Sequence, residues 1–159
     1  EGTYPLPEAQ VDRFMFKCLV ETPTKADERR IMQRFAENAE KPEAKTICTP
    51  EDIAALRESL NHVYCDEKVG DYILGIVFKT READAYIQNG ASPRATLALN
   101  LAARGNALLH GRAYATPQDV KEVVHDVLRH RILLTYEAEA EGITADGLID
   151  KILNEVPVP

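Results

Sequence analysis

Along most of the chain, apolar residues recur every three or four positions, the period of a helix with one buried stripe. The spacing predicts six helices. The first starts at Thr24, ahead of Asp27 and Glu28, and the second opens at Thr49-Pro50-Glu51-Asp52, with Ile53, Leu56 and Leu60 on one face. A third runs from Glu67 to about Ala83 on Val69, Ile73, Ile76 and Val77, and a fourth from Pro93 to about Leu109 on Leu97, Leu101 and Leu108. The fifth spans Pro117 to about Leu134 with Val120, Val123, Val124, Val127 and Leu128. A last one starts at Thr144 and buries Leu148, Ile149, Ile152 and Leu153. The starts share a device: Ser or Thr as N-cap, often proline next, then an acid in the first turn.

One segment breaks the period. Phe14 to Val20, Phe-Met-Phe-Lys-Cys-Leu-Val, is a short apolar run ending before Thr22-Pro23, the pattern of a strand buried on both faces. No later segment reads as a second strand, so its partners are expected outside the chain. Gly70, Gly75 and Gly105 fall within helices, each at up to about 1 kcal/mol relative to alanine, which loosens those boundaries. The expected fold is therefore mainly α, a helical bundle with one N-terminal strand.

Composition narrows the function. The chain has 159 residues, 45% of them hydrophobic, enough for one core. A net charge of −7 sets it apart from proteins that bind phosphate backbones through clustered Lys and Arg, so no nucleic-acid partner is expected. There is no apolar stretch of about 18 residues and no signal-peptide pattern; a soluble, cytoplasmic protein with no membrane insertion is expected. Cys18, Cys48 and Cys65 lack a CxxC spacing and read as reduced thiols. His62, His110, His125 and His130 show no HExxH pairing, so no metal site is expected, and no nucleophile motif is visible. The chain opens on Glu1-Gly2-Thr3 without methionine, as expected of an excised piece.

Two stretches could carry chemistry. In Gly90-Ala91-Ser92-Pro93-Arg94-Ala95, Ser92 and Pro93 mark a helix start, but Arg94 stands where the other helices place an acid. A cation at the positive end of a helix is unfavourable unless an anion shares the site, and free N–H groups with a guanidinium make a phosphate clamp. Alternatively, Arg94 points into water or pairs with a nearby carboxylate such as Glu82 or Asp84. The second stretch, from Glu1 to Phe14, is a proline-stiffened loop and a short turn that deliver Arg13 just before the apolar run. An arginine on a rigid mount suits stabilisation of a phosphoryl-transfer transition state; the plain alternative is that it is solvated or pairs with Asp12. Arg129, His130 and Arg131 form a basic cluster where cations offset the negative end of a helix. The alternative is contact with a neighbouring subunit or with another domain.

These motifs resemble those of MoxR-family AAA+ ATPases over essentially the whole chain. Gly90 to Thr96 is similar to the family's sensor 2 motif, whose arginine reaches from the lid to the γ-phosphate of ATP. The resemblance gives that role to Arg94, with Ser92 and Pro93 beside it. Glu1 to Phe14 resembles the segment after sensor 1, where the arginine of Asp-Arg-Phe is the candidate arginine finger acting on the adjacent subunit, here Arg13. Leu108 to Val120 and Val127 to Ile132 match the closing helices of the lid. By the same resemblance, residues 1–22 are a remnant of the ATPase core and residues 23–159 the helical lid. Cys18 and Val11 depart from the pattern only in apolar size.

The chain contains no Gly-x-x-x-x-Gly-Lys-Ser/Thr loop and no strand ending in paired acids. In the family these lie before the point where this sequence begins. ATP and Mg2+ are thus expected on the full-length protein and not on this chain, which alone should be inactive. The resemblance further implies a chaperone-like motor that assembles or activates protein complexes. It would be a homo-oligomeric ring, commonly a hexamer, working with von Willebrand factor A domain proteins. The rival expectation is a self-contained helical protein–protein interaction module, in which Phe14 to Val20 packs within the chain and Arg94 is taken by a carboxylate.

Overall fold

A computed structural model describes residues 4, 6–36, 43–82 and 84–159. Its elements run α1 (Glu8–Val11), α2 (Lys25–Ala36), α3 (Pro50–Ser59), β1 (Tyr64–Cys65), α4 (Glu67–Lys79), β2 (Ile87–Asn89), α5 (Pro93–Leu109), β3 (Tyr114–Ala115), α6 (Pro117–Leu128), β4 (Leu133–Leu134), α7 (Tyr136–Ala140) and α8 (Ala145–Glu155). All six expected helices are present and the molecule is mainly α. Glu1–Thr3, Pro5 and Ala83, parts of two expected segments, lie outside the described residues.

Capping sets the helix starts. Thr49 and Thr116 each form a reciprocal box with the aspartate three residues on, Asp52 and Asp119. Ser92, Thr135 and Thr144 accept a backbone N–H from the first turn in the same way. At the C-terminus of α5, Gly111 takes a φ of 72°, which a glycine adopts without a Cβ clash. The turn then closes with Gly111 N–H donating to Leu108 O and Arg112 N–H to Ala107 O, both at 2.9 Å.

The core lies between α4, α5, α6 and α8. Ile73, Ile76 and Val77 meet Val120, Val124, Val127 and Leu128, with Ile149 and Ile152 closing one side. The buried face of α5 differs from the expected one: Ala95, Leu99, Ala103 and Ala107 point inward, while Leu97 and Leu101 are exposed. A helix flanked by α4 and α6 needs small side chains where backbones approach closely, and a hydrophobicity count cannot distinguish that alanine stripe from filler. By contrast, α2 and α3 bury no residue, and Ile31, Met32, Phe35, Ile53 and Leu56 are exposed.

Four short strands also appear that the periodicity did not reveal. β1 pairs in parallel with β3, Tyr64 facing Tyr114, and β2 pairs antiparallel with β4 across an irregular register. Each leads into a capped helix, so the two small sheets hold helix N-termini side by side. Strands of two or three residues carry no usable alternation.

The expected strand over Phe14 to Val20 does not form. The backbone there has no ladder among the described residues, and Phe14, Phe16, Leu19 and Val20 are exposed. A strand with no neighbour has nothing to satisfy its backbone groups. Here side chains from beyond α6 satisfy part of it. Arg131 donates to Phe14 O at 2.7 Å and Met15 O at 3.1 Å, His130 Nε2–H to Phe14 O at 2.9 Å, and Arg129 to Lys17 O at 2.6 Å. Lys17 N–H in turn donates to Asp126 O at 2.8 Å.

Candidate functional site

Gly90 fixes the approach to α5. A Cβ there would lie 2.2 Å from Thr80 O, so only glycine lets the loop run against the end of α4. Thr80 Oγ1 accepts the Ala91 N–H at 2.9 Å and Arg81 Nε–H donates to Ala91 O at 2.7 Å. The helix start is thereby clamped to α4. Ser92 is its N-cap, Oγ accepting the Arg94 N–H at 3.2 Å, and Pro93 occupies the first turn.

No acid stands in the first turn of α5, unlike that of α3, α4, α6 or α8. The carboxylate arrives from elsewhere. Asp12, at the C-terminal end of α1, accepts Ser92 Oγ–H at 3.1 and 2.9 Å on its two oxygens, Arg94 Nη1–H at 3.0 Å and Arg131 Nε–H at 3.2 Å. Burial pushes the Asp12 carboxyl up, but the bonds from Arg94 and Ser92 and the charge of Arg131 outweigh it and hold it below the usual range.

The two arginines sit differently. Arg94 is 54% exposed, and an ion pair of that kind contributes no more than about 1 kcal/mol. The Arg131 side chain is 2% exposed. It also donates to the Asp12, Phe14, Met15 and Val127 carbonyls, and so holds the turn and the segment after it. A cavity of about 300 Å³ opens beside Asp12 and Arg131, lined also by Glu8, Gly90, Ser92 and His130.

Of the residues singled out from sequence, Ser92, Pro93 and Arg94 come together. Arg13 is adjacent in sequence but faces outward: it is exposed, and the ion pairs to Asp12 come from Arg94 and Arg131 instead. Glu82 and Asp84, the nearby carboxylates, are engaged elsewhere, with Lys79 and Lys151. Sequence reasoning missed Asp12 as the partner of Arg94. The missing first-turn acid of α5 was the signal, although nothing local said where the substitute would come from.

A second cluster lies at the start of α6. Arg112 donates to both oxygens of Asp119 at 2.7 and 2.6 Å, and Asn106 and the Thr116 N–H and hydroxyl complete the shell. Burial pushes the Asp119 carboxyl up, yet Arg112 and Thr116 override it and hold it far below the usual range. His110, Asp119 and Glu122 bring one ligand atom each within 4.8 Å of one another. Asp119 has no lone pair left for a cation, and the guanidinium already neutralises it; the cluster is a structural clamp. Cys18, Cys48 and Cys65 are free thiols, and no described helix is long and apolar enough to cross a membrane.

Comparison with known proteins points to one family. The model of the AAA lid domain matches residues 79–152, which include Ser92 and Arg94. Chaperone MoxR1 of Mycobacterium tuberculosis is 42% identical over all of this chain and 44% of its own length, and protein MoxR of Methylorubrum extorquens is 31% identical, with 52% of its length covered. A crystal structure from Cytophaga hutchinsonii, provisionally described as an ATPase, superposes with a TM-score of 0.93 at 41% identity, covering all of this chain and 51% of that one. The chain spans about half the length of the curated relatives it matches. Along its whole length the chain is similar to the MoxR family of AAA+ ATPases, and residues 79–152 match the AAA lid domain.

Proposed function

We propose that the chain is the nucleotide-responsive lid of a chaperone-like ATPase, converting ATP binding and hydrolysis into domain movement. One observation carries this: the N-terminus of α5, capped by Ser92 and lacking an acid of its own, exposes Arg94 and already holds a carboxylate brought from α1. A corner that holds a carboxylate through a guanidinium, a hydroxyl and a helix start suits a phosphate oxygen for the same reasons.

In this proposal Ser92 and Pro93 set the helix start and Arg94 meets the γ-phosphate. A separate ATPase core holds ATP and Mg2+, since no phosphate loop and no strand ending in paired acids occurs in this sequence, and the chain alone does not turn over ATP. Arg13, outward-facing on the short turn, acts as arginine finger on the neighbouring subunit of a ring, a hexamer by analogy with the family. The relative named as a chaperone supports a chaperone-like output; in this proposal that output is assembly or activation of protein complexes in the cytoplasm, with von Willebrand factor A domain proteins as co-workers.

The test is ATP turnover by the full-length protein and its Arg94→Ala and Arg13→Ala variants. Each substitution is expected to lower kcat by at least about 10²-fold. Wild-type rates in both would remove these arginines from the mechanism.

A second reading, a helical interaction module with no nucleotide role, is favoured by the Arg94–Asp12 pair and by the docking of residues 14–17 within the chain. Under it, Arg94→Ala changes stability slightly and leaves nucleotide affinity untouched.

A further inference from the structure

Arg94 and Arg131 share one carboxylate but differ in what they can give up. Arg131 is buried, and its guanidinium is committed to the Asp12 side chain and to four main-chain carbonyls. Arg94 is half exposed, and among the described residues Asp12 is its one ion-pair partner. An anion reaching Arg94 therefore meets an exchangeable contact: the carboxylate can release Arg94 and still keep Ser92 and Arg131. The cavity lined by Asp12 gives it room to turn. Besides Asp12 and Arg131, the titratable groups lining that cavity are Glu8 and His130. His130 Nε2 is tied to Phe14 O, and neither residue pairs with Arg94.

We propose that Asp12 is a positioning residue for Arg94, an internal anion that occupies the guanidinium while no phosphate is present and competes with phosphate for it. This rests on Arg94 meeting the nucleotide, and it adds what Arg94 does between nucleotides. An unpaired arginine would swing freely in water. Asp12 holds it at the helix start, so affinity for nucleotide is lowered in exchange for a fixed approach.

The experiment is equilibrium binding of a non-hydrolysable ATP analogue with Mg2+ to the full-length protein, in a double-mutant cycle of Asp12→Asn and Arg94→Ala. Asparagine keeps the size and leaves the main-chain carbonyls that Arg131 grips. Arg94→Ala is expected to weaken binding. Asp12→Asn is expected to tighten it by about two- to fivefold, the exchange value of a half-exposed pair, and this gain should vanish when Arg94 is alanine. A purely structural aspartate would give unchanged or weaker binding, so no gain, or a gain that survives without Arg94, overturns the proposal while leaving Arg94 in its place. Should Arg94→Ala bind like wild type, the functional reading of Arg94 fails first and the proposal with it. A structure of the wild-type protein with the analogue bound gives a check that needs no variant: Asp12 should part from Arg94 and stay on Arg131. An intact Asp12–Arg94 pair beside bound nucleotide would refute the competition.

Discussion

Two successive helices of this lid begin with a hydroxyl cap, an aspartate and an arginine, and they use them in opposite ways. At α6, Asp119 lies within the helix itself and Arg112 seven residues earlier; the carboxylate is 1% exposed and every lone pair is taken. At α5, the aspartate comes from 82 residues earlier and the arginine stands half in water. Burial and proximity make the first corner a permanent brace. Distance and exposure leave the second open to exchange: Arg112 grips Asp119 with two bonds of 2.7 and 2.6 Å in a buried corner, Arg94 holds Asp12 with one of 3.0 Å in partial contact with water.

Breaking the brace should have the largest effect. Asp119→Asn is expected to lower stability by about 3 kcal/mol, because it leaves Arg112 without its counter-charge; chemical denaturation would measure it. Since the folded state holds the Asp119 carboxyl below its unfolded value, its contribution is fully present above the ordinary carboxylate range and is lost as the pH falls below about 4. The gap between wild type and variant should therefore narrow in acid. A gap that stays constant with pH would show that the charge is not what stabilises this corner.

The approach to the second corner is next. Gly90→Ala sets a methyl group against Thr80 O and is expected to cost about 2 kcal/mol, with displacement of Ser92 and Arg94. A melting temperature equal to that of wild type would mean that the loop is looser than its contacts imply. The smallest effect should come from Arg94→Ala, at most about 1 kcal/mol by denaturation, since its pair is half exposed. A loss as large as that from Asp119→Asn would erase the contrast between the corners.

Much of this architecture is legible in the sequence, for local reasons. Thr49, Ser92, Thr116 and Thr144 announce helix starts because a cap acts on the residues immediately after it, and α5 occupies the expected span from Pro93 to Leu109. Ends are less visible. α6 stops at Leu128, short of the expected Leu134, with no glycine or proline to mark the place, because Arg129 to Arg131 turn toward the N-terminal segment. The candidate site divides in the same way. Arg94 stands out as a cation in the wrong place along a helix, a local anomaly. Its counter-ion is a non-local fact: Asp12 differs from the other acids only in where folding brings it.

The hold of Arg129, His130 and Arg131 on the stretch before Cys18 has a consequence for variation. All three reach carbonyl oxygens of Phe14, Met15 or Lys17, which every amino acid possesses. Side chains along that stretch, apart from Met15, which packs against the core, can diverge without loosening the attachment, whereas substitution within the basic triplet would release it. Phe14 and Phe16 are thus left free to answer to whatever they face outside this chain.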